Sequence, residues 1–383
     1  MTGMLPDITP FHVMALLGRA KELEREGADV IHLEIGEPDF PTPEPILRAA
    51  RQGLAGGDLK YTPAAGLPEL RERIASHYGQ RYGIDIPARR IFLTPGASGA
   101  LLLALAALIA PGDRVLLTDP GYPCYRNFIK ASHGLPQGIG VAGNPGLQLT
   151  AADLERAWGE SSAGLILASP ANPTGAIASG TLLAELANFI GFRGGFFISD
   201  EIYHGLEYGA PCISALEISN RCFLINSFSK YFGMTGWRLG WLIVPEDYTG
   251  IIERLAQNLF ISAPTLSQLA ALAAFEIETI AELERRRAEF EQRRDYLHRI
   301  LPSLGFTLGG TPAGAFYLYA DCSGLCADSY RFCEELLESA HVALTPGKDF
   351  GEIRPERFLR FAYTRPIDQL ASAVERIRRF LGR

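Results

Sequence analysis

Asn226-Ser227-Phe228-Ser229-Lys230-Tyr231-Phe232-Gly233-Met234-Thr235-Gly236-Trp237-Arg238-Leu239-Gly240 is the stretch whose reading decides the fold. It follows the apolar run Cys222 to Ile225, sets the hydroxyls of Ser227 and Ser229 ahead of one lysine, and places Arg238 eight positions beyond it. A lysine at the end of a buried strand is costly to keep charged, because desolvation favours the neutral amine and lowers its pKa. That amine is a nucleophile that forms Schiff bases with carbonyl compounds. Ser227, Ser229 and Arg238 carry the donors to hold a phosphate beside it. The competing reading of the same residues is a solvated lysine in a polar loop.

Outward from this stretch, short apolar runs alternate with helical patterns. Ile91 to Leu93, Arg114 to Thr118, Gly164 to Ala168, Phe196 to Ser199, Cys222 to Ile225 and Gly240 to Val244 read as buried strands. Gly99 to Ile109, Tyr125 to His133 and Leu182 to Phe189 read as helices between them. The alternation predicts an α/β domain with a largely parallel central sheet flanked by helices. Upstream, Thr9 to Gly27 reads as a helix and Val30 to Ile35 as a short strand. The next segment, Gly36 to Pro43, holds three prolines, which exclude regular structure.

After Thr265 the pattern changes. Leu266 to Leu301 is a long charged helical stretch with a break near Glu278. Gly314 to Ala320, a helix near Ser329 to Ala340, a strand at Phe358 to Ala362 and a closing helix at Ile367 to Leu381 follow. These form a second, smaller lobe, onto which the N-terminal segment is expected to fold. The expected division is a large domain over residues 46–285 and a small α+β domain from residues 1–45, with an N-terminal arm, and 286–383. A ligand cleft is expected between the lobes.

Composition narrows the function classes. A chain of 383 residues buries a large core, and its net charge of −7 argues against a nucleic-acid surface. The most basic stretch, Arg285 to Arg299, is interleaved with Glu289, Glu291 and Asp295, the pattern of a solvated helix face. The six cysteines form neither a Cys-x-x-Cys pair nor a Cys/His cluster, so no metal site and no disulfide framework is expected. Cys322 and Cys326 are near neighbours without further ligand types around them. Leu101 to Ala110 is strongly apolar but only ten residues long, too short to span a bilayer. Phe11 to Leu17 is a poor signal sequence, so the protein is expected to be cytoplasmic, with no membrane association.

Further motifs fall at the predicted strand ends. Thr94-Pro95-Gly96-Ala97-Ser98-Gly99 joins a strand to a helix whose N-terminus suits a phosphate. Ser169-Pro170-Ala171-Asn172-Pro173-Thr174-Gly175 is a turn at the carboxyl edge of the sheet, where α/β proteins bind ligands. Asp200 closes a buried strand, where a carboxylate needs a partner, and Glu201 competes with it for any role. Tyr122, in Asp119-Pro120-Gly121-Tyr122-Pro123-Cys124-Tyr125, is a ligand-stacking ring or a core aromatic. Arg360 alternates with Leu359 and Phe361 and so points away from both. It is an edge residue, one half of a structural ion pair, or a bidentate clamp for a carboxylate.

Taken in order from Gly36 to Arg360, these motifs closely resemble those of the class I/II aminotransferases, pyridoxal 5'-phosphate (PLP) enzymes of fold type I. The resemblance implies that Lys230 holds PLP as a Schiff base and that Ala97, Ser98, Ser227, Ser229 and Arg238 seat its phosphate. It further implies that Tyr122 stacks on the pyridine ring and that Asn172 donates to the phenolic O3'. Asp200 would keep the ring nitrogen protonated, and Tyr203 would hydrogen-bond O3'. Arg360 would bind the substrate α-carboxylate with the backbone of Gly36, and Tyr61 would reach the phosphate of a neighbouring subunit in a homodimer. Gly99 stands where many relatives carry a larger polar residue.

The implied activity is transfer of an amino group between an L-amino acid and a 2-oxo acid, with Lys230 moving the Cα proton. A PLP-dependent β-lyase acting on cysteine S-conjugates shares every cofactor residue and is the main alternative. A PLP-binding regulator would need a DNA-binding module ahead of Gly36, and Ser227-x-x-Lys230 as a serine acylase motif lacks its companion Ser-Asp-Asn and Lys-Thr-Gly strings. Gly99 to Ala110 contains no basic residue, so a neutral or aromatic donor is expected over aspartate. Lys348 and the N-terminal arm are the remaining sources of a second cation; Phe11 and Val13 are expected to shape the pocket.

Overall fold

The computed structural model describes residues 8 and 10–383. Its thirteen strands are β1 (Ile31–His32), β2 (Ile91–Thr94), β3 (Arg114–Asp119), β4 (Leu135–Gly140), β5 (Ser162–Ala168), β6 (Phe196–Asp200), β7 (Phe223–Ser227), β8 (Gly240–Ile243), β9 (Thr307–Leu308), β10 (Tyr317–Asp321), β11 (Val342–Ala343), β12 (Thr345–Pro346) and β13 (Phe358–Ala362). β2 to β8 form one seven-stranded sheet in the order β2-β8-β7-β6-β5-β3-β4. Only β8 runs against its neighbours; the β3–β4, β3–β5, β5–β6 and β6–β7 pairs are parallel. The expected largely parallel sheet is therefore present.

Strand alternation explains why both faces of this sheet are covered. Leu93, Leu116, Leu165, Leu167, Phe197, Leu224, Trp241 and Ile243 join one apolar cluster. Their neighbours Phe92, Val115, Leu117, Ile166, Ile198, Ile225 and Leu242 join a second, on the other face. The helix Gly96–Leu108 is buried along most of its length and packs on β7 and β8. β4 escapes a sequence reading because Leu-Pro-Gln-Gly-Ile-Gly has no strand pattern. It pairs with β3 alone, at the sheet edge, where Pro136 breaks no ladder.

The remaining strands lie at the two ends of the chain. β9, β10, β13 and β12 form a four-stranded antiparallel sheet, and β1 pairs with β11 across more than three hundred residues. The predicted strand Val30 to Ile35 shrinks to Ile31–His32, because the residues after it turn into the cleft. The N-terminal helix spans His12–Arg25; Thr9, its expected first residue, lies outside the described residues. The long helical stretch after Thr265 breaks as expected, with a tight turn at Leu272–Phe275 ahead of the helix Ile277–Ile300. No helix among the described residues is long and apolar enough to cross a membrane.

Candidate active site

The carboxyl ends of the parallel strands converge on one cleft. It is lined by Phe11, Val13, Met14, Glu34, Ile35, Gly36, Tyr122, Asn172, Tyr203, Lys230, Tyr317, Phe350 and Arg360, among others. Lys230 follows β7, and its Nζ donates to the Gly36 carbonyl at 2.7 Å. Burial lowers its pKa to about 8, assisted by the positive field of Arg360. Lys230 is thus half-buried at the cleft and bonded to the backbone rather than free in a polar loop.

Asp200, the last residue of β6, is 2% exposed. Its Oδ2 accepts from the Tyr125 hydroxyl, and its Oδ1 accepts from the Ile202 N–H at 3.2 Å. Burial raises its pKa to about 6, against the pull of those two donors. Glu201, the first residue beyond β6, turns its side chain away from that of Asp200. It accepts from the Ser214 hydroxyl at 3.0 Å and the Ala215 N–H at 2.8 Å, and burial pushes it to about 8. Their partners distinguish the two carboxylates: Asp200 lies in the field of Lys230, whereas Glu201 is taken up by Ser214 and Ala215.

Tyr125 was not singled out by sequence reasoning. Its signal is its place three residues after Tyr122, on the first turn of the helix Cys124–Ala131. The two rings meet edge to face at 5.2 Å, so the ring that lines the cleft is braced by the ring that holds Asp200. Tyr317 was also missed. Its hydroxyl lies 2.8 Å from that of Tyr203, and its ring lies 4.3 Å from the Arg360 guanidinium carbon. A side chain on Gly36 would run into the Tyr317 hydroxyl, which is why glycine stands there.

A cup of hydrogen-bond donors forms where β7, the Arg238 turn and the helix Gly96–Leu108 meet. Ser227 Oγ and Ser229 Oγ are 2.9 Å apart. Arg238, in a left-handed conformation at φ 51°, donates to the Thr235 carbonyl at 3.0 Å and approaches Ser229 Oγ at 3.5 Å. Its guanidinium sits where a Cβ on Gly96 would be, and a Cβ on Gly240 would lie 2.8 Å from the Ala97 nitrogen. Ala97 and Ser98 occupy the first turn of that helix, so their N–H groups have no partner within it. Gly99 packs where a Cβ would meet the Pro95 ring at 2.8 Å, which accounts for the absence of a larger residue.

Arg360, from β13, is 6% exposed, while Leu359 and Phe361 are fully buried on the opposite face. It donates to Asn172 Oδ1 at 2.9 Å, the Glu34 carbonyl at 2.5 Å and Thr345 Oγ1 at 3.2 Å. Its Nε–H has no partner among the described residues. Tyr317 on one side and Phe350, at 4.8 Å, on the other flank the guanidinium. No carboxylate side chain is paired with it among the described residues, so the structural ion-pair reading fails. Tyr61 is not brought to this cleft; it stands 79% exposed. Lys348 does not face the cleft either: it pairs with Asp328 at 3.2 Å and lies over the Tyr330 ring.

Comparison with known proteins places this architecture. The family model for aminotransferase class I and II matches residues 28–377. The chain is 39% identical over 386 residues to the (5-formylfuran-3-yl)methyl phosphate transaminase of Methanocaldococcus jannaschii, covering 100% of both chains. It is 39% identical over 376 residues to the valine–pyruvate aminotransferase of Mycobacterium tuberculosis, covering 97% of this chain and 96% of that one. Among solved structures, an aminotransferase from Mycobacterium tuberculosis superimposes with a TM-score of 0.95 at 39% identity, over 98% of this chain and 97% of that one. The relatives cited are named for amino transfer, and none of them for the C–S lyase reaction. With matches that run the length of the chain, the protein belongs to the class I and II aminotransferases, PLP-dependent enzymes of the aspartate aminotransferase-like fold that move an amino group between an amino acid and a 2-oxo acid.

Proposed function

We propose that Lys230 is the residue that carries PLP and moves the reacting proton, and that the preferred donor is a neutral or aromatic amino acid. The residues present fit the cofactor. A buried amine of lowered pKa, a buried carboxylate and a cup of hydroxyl, guanidinium and helix N–H donors supply partners for its aldehyde, ring nitrogen and phosphate. PLP, when bound, supplies the carbonyl that takes up the amino group and the protonated ring that accepts the Cα electron pair.

The chain's own groups do the rest. Lys230 Nζ, with a pKa of about 8, is part free base near neutral pH and can take the Cα proton and return it. Asp200, held in place by Tyr125, would pair with the ring nitrogen and keep it protonated. Asn172, whose Oδ1 is committed to Arg360, keeps its amide donors for O3', with Tyr203 as the second donor. Tyr122, which lines the cleft, would stack on the cofactor ring. Ala97, Ser98, Ser227, Ser229 and Arg238 seat the phosphate. Arg360 takes the substrate α-carboxylate beside Gly36, sharing its remaining N–H groups.

The donor preference rests on the cleft's lining. Its cations among the described residues are Lys230 and Arg360, both already assigned, and its apolar lining includes Phe11, Val13, Met14, Ile35, Ile202 and Phe350. Among the described residues of one chain, a side-chain carboxylate would find no second cation there, whereas an apolar side chain would leave water. The relative from Mycobacterium tuberculosis is named for valine. The assay is a panel of amino acids with 2-oxoglutarate and with pyruvate, and cystathionine as a lyase probe. Higher kcat/KM for valine, leucine or phenylalanine than for aspartate is expected; the reverse order refutes the preference. Borohydride treatment of the holoenzyme should fix a pyridoxyl group on Lys230, and a label elsewhere refutes its role.

We further propose a homodimer divided into the lobes described from sequence, residues 46–285 and residues 1–45 with 286–383. The pairing of β1 with β11 supports the lobes, and the exposure of Tyr61 supports a partner's cofactor as its target. Mixing inactive Lys230→Ala and Tyr61→Ala proteins should restore part of the activity in hybrid dimers; a fully active monomer in sedimentation refutes the dimer. A cytoplasmic location is proposed from the six cysteines, all free thiols here, and cell fractionation tests it.

A further inference from the structure

Asp349 is buried next to Phe350, whose ring lies on Arg360, yet both of its oxygens serve a segment at the other end of the chain. Oδ1 accepts from the His12 N–H at 2.7 Å and Oδ2 from the Val13 N–H at 2.8 Å. His12 and Val13 open the helix His12–Arg25, and the residue before it, Phe11, makes no side-chain cap. A carboxylate from elsewhere in the fold thus satisfies the free N–H groups of this helix at its positive end. Phe11, Val13 and Met14, on this same turn, line the cleft. Two adjacent residues therefore serve the two sides of the cleft: Asp349 holds the turn of the apolar wall, and Phe350 lies on the arginine proposed to hold the substrate carboxylate.

We infer that Asp349 is a specificity-determining positioning residue: its carboxylate fixes the start of the helix His12–Arg25 so that Phe11, Val13 and Met14 wall the pocket for an apolar donor side chain. The inference rests on the donor preference proposed above. A wall held by a buried charged hydrogen bond from each of two consecutive N–H groups has one position. A wall freed from it loses the fit that large side chains use and small ones do not.

The test compares the holoenzyme with Asp349→Asn, His12→Pro and His12→Ala. Proline is tolerated at the first helical position, and Phe11 is already in the extended conformation that a following proline requires, so His12→Pro removes one N–H and leaves the lobe intact. His12→Ala removes the ring, with its contact to Tyr330, and keeps the N–H. For Asp349→Asn, kcat/KM for leucine and phenylalanine should fall about tenfold or more, and that for alanine by about threefold or less. His12→Pro should move the same ratio less, and His12→Ala should leave it unchanged. Absorbance of the bound cofactor should not change, and tryptic cleavage after Arg19 or Lys21 should quicken in both the Asn and Pro variants, with or without cofactor. An equal loss for all donors, or an unchanged ratio, overturns the inference. If the wild-type enzyme shows no preference for large apolar donors, the donor reading fails by itself. Proteolysis then decides whether Asp349 holds the helix: faster cleavage in the variants upholds the latch, and unchanged cleavage refutes it.

Discussion

The two halves of the cleft are built differently. The half that holds Asp200 and Lys230 comes from consecutive strand-to-loop junctions of one sheet, where each functional residue ends its own strand or follows it by a few positions. The half that holds Arg360 joins the paired strands of Thr345 and Arg360, with Phe350 between them, to the segment of Gly36 by contacts such as Arg360 to Glu34, 326 positions away. In the first half a local string of residues carries the geometry. In the second, the same geometry depends on how the chain ends pack. Mutations should separate them: changes in the first should act on cofactor chemistry for every substrate, and changes in the second on substrate recognition.

The largest effect belongs to Lys230. Lys230→Ala should abolish steady-state amino transfer, with a loss of at least the 10²- to 10⁴-fold that a positioned acid–base group contributes. The lowered pKa adds a sharper check: in cofactor-free protein, chemical labelling of this amine should rise with pH around 8 rather than around 10.5. Labelling that tracks an ordinary lysine would show that the buried geometry is not maintained in solution.

Asp200 gives a stability measurement. Its native pKa of about 6 is raised from an ordinary 3.8, so between those values the native state holds a proton that the unfolded state has released. Its contribution is fully present below about 3.8 and lost as pH rises through about 6, by about 3 kcal/mol in total in the cofactor-free protein. Denaturant titrations of wild type and Asp200→Asn at pH 4 and pH 7 should show the wild type losing this much relative to the variant. No difference between them would mean that Asp200 is solvated.

Arg360 tests the other half. Arg360→Lys keeps the charge but loses the planar fork. It should cost about 10- to 150-fold in kcat/KM for amino acids, the range expected for a charge-assisted hydrogen bond. Amines without an α-carboxylate should be little affected, and cofactor absorbance should not move. Equal losses for both substrate types would make Arg360 a packing residue.

Tyr317 lies on the border between the halves, and the smallest effect is expected there. Tyr317→Phe removes one neutral hydrogen bond to Tyr203 and keeps the ring against Arg360. A loss of about 2- to 12-fold in kcat is expected, with KM for the amino acid unchanged. A KM effect alone would assign Tyr317 to the substrate half.

Much of the cofactor half was legible in the sequence because its strands carry continuous apolar runs and its residues follow them in fixed order. Ser227, Lys230, Arg238, Asp200 and Asn172 were placed together by that order and by its resemblance to the class I/II aminotransferase motifs. Arg360 was legible for a related reason: alternation with Leu359 and Phe361 set its direction before its surroundings were known. Tyr125 and Tyr317 were not. Each is an ordinary buried tyrosine by pattern, and only the approach of another chain segment gives its hydroxyl a partner. β4 was missed because an edge strand accepts proline and glycine that a central strand would reject.

The sequence by itself determined the central strands of the sheet, the functional residues at their ends and the lysine after β7, because apolar runs and desolvation act on residues close together in the chain. Tertiary structure alone decided that Lys348 pairs with Asp328 away from the cleft, that Glu201 turns from Asp200 toward Ser214, and that Asp349 meets the start of the N-terminal helix. These are pairings of polar groups across long separations. A buried donor or acceptor must be satisfied, but its chemistry does not say by which partner; the packing of the lobes makes that choice.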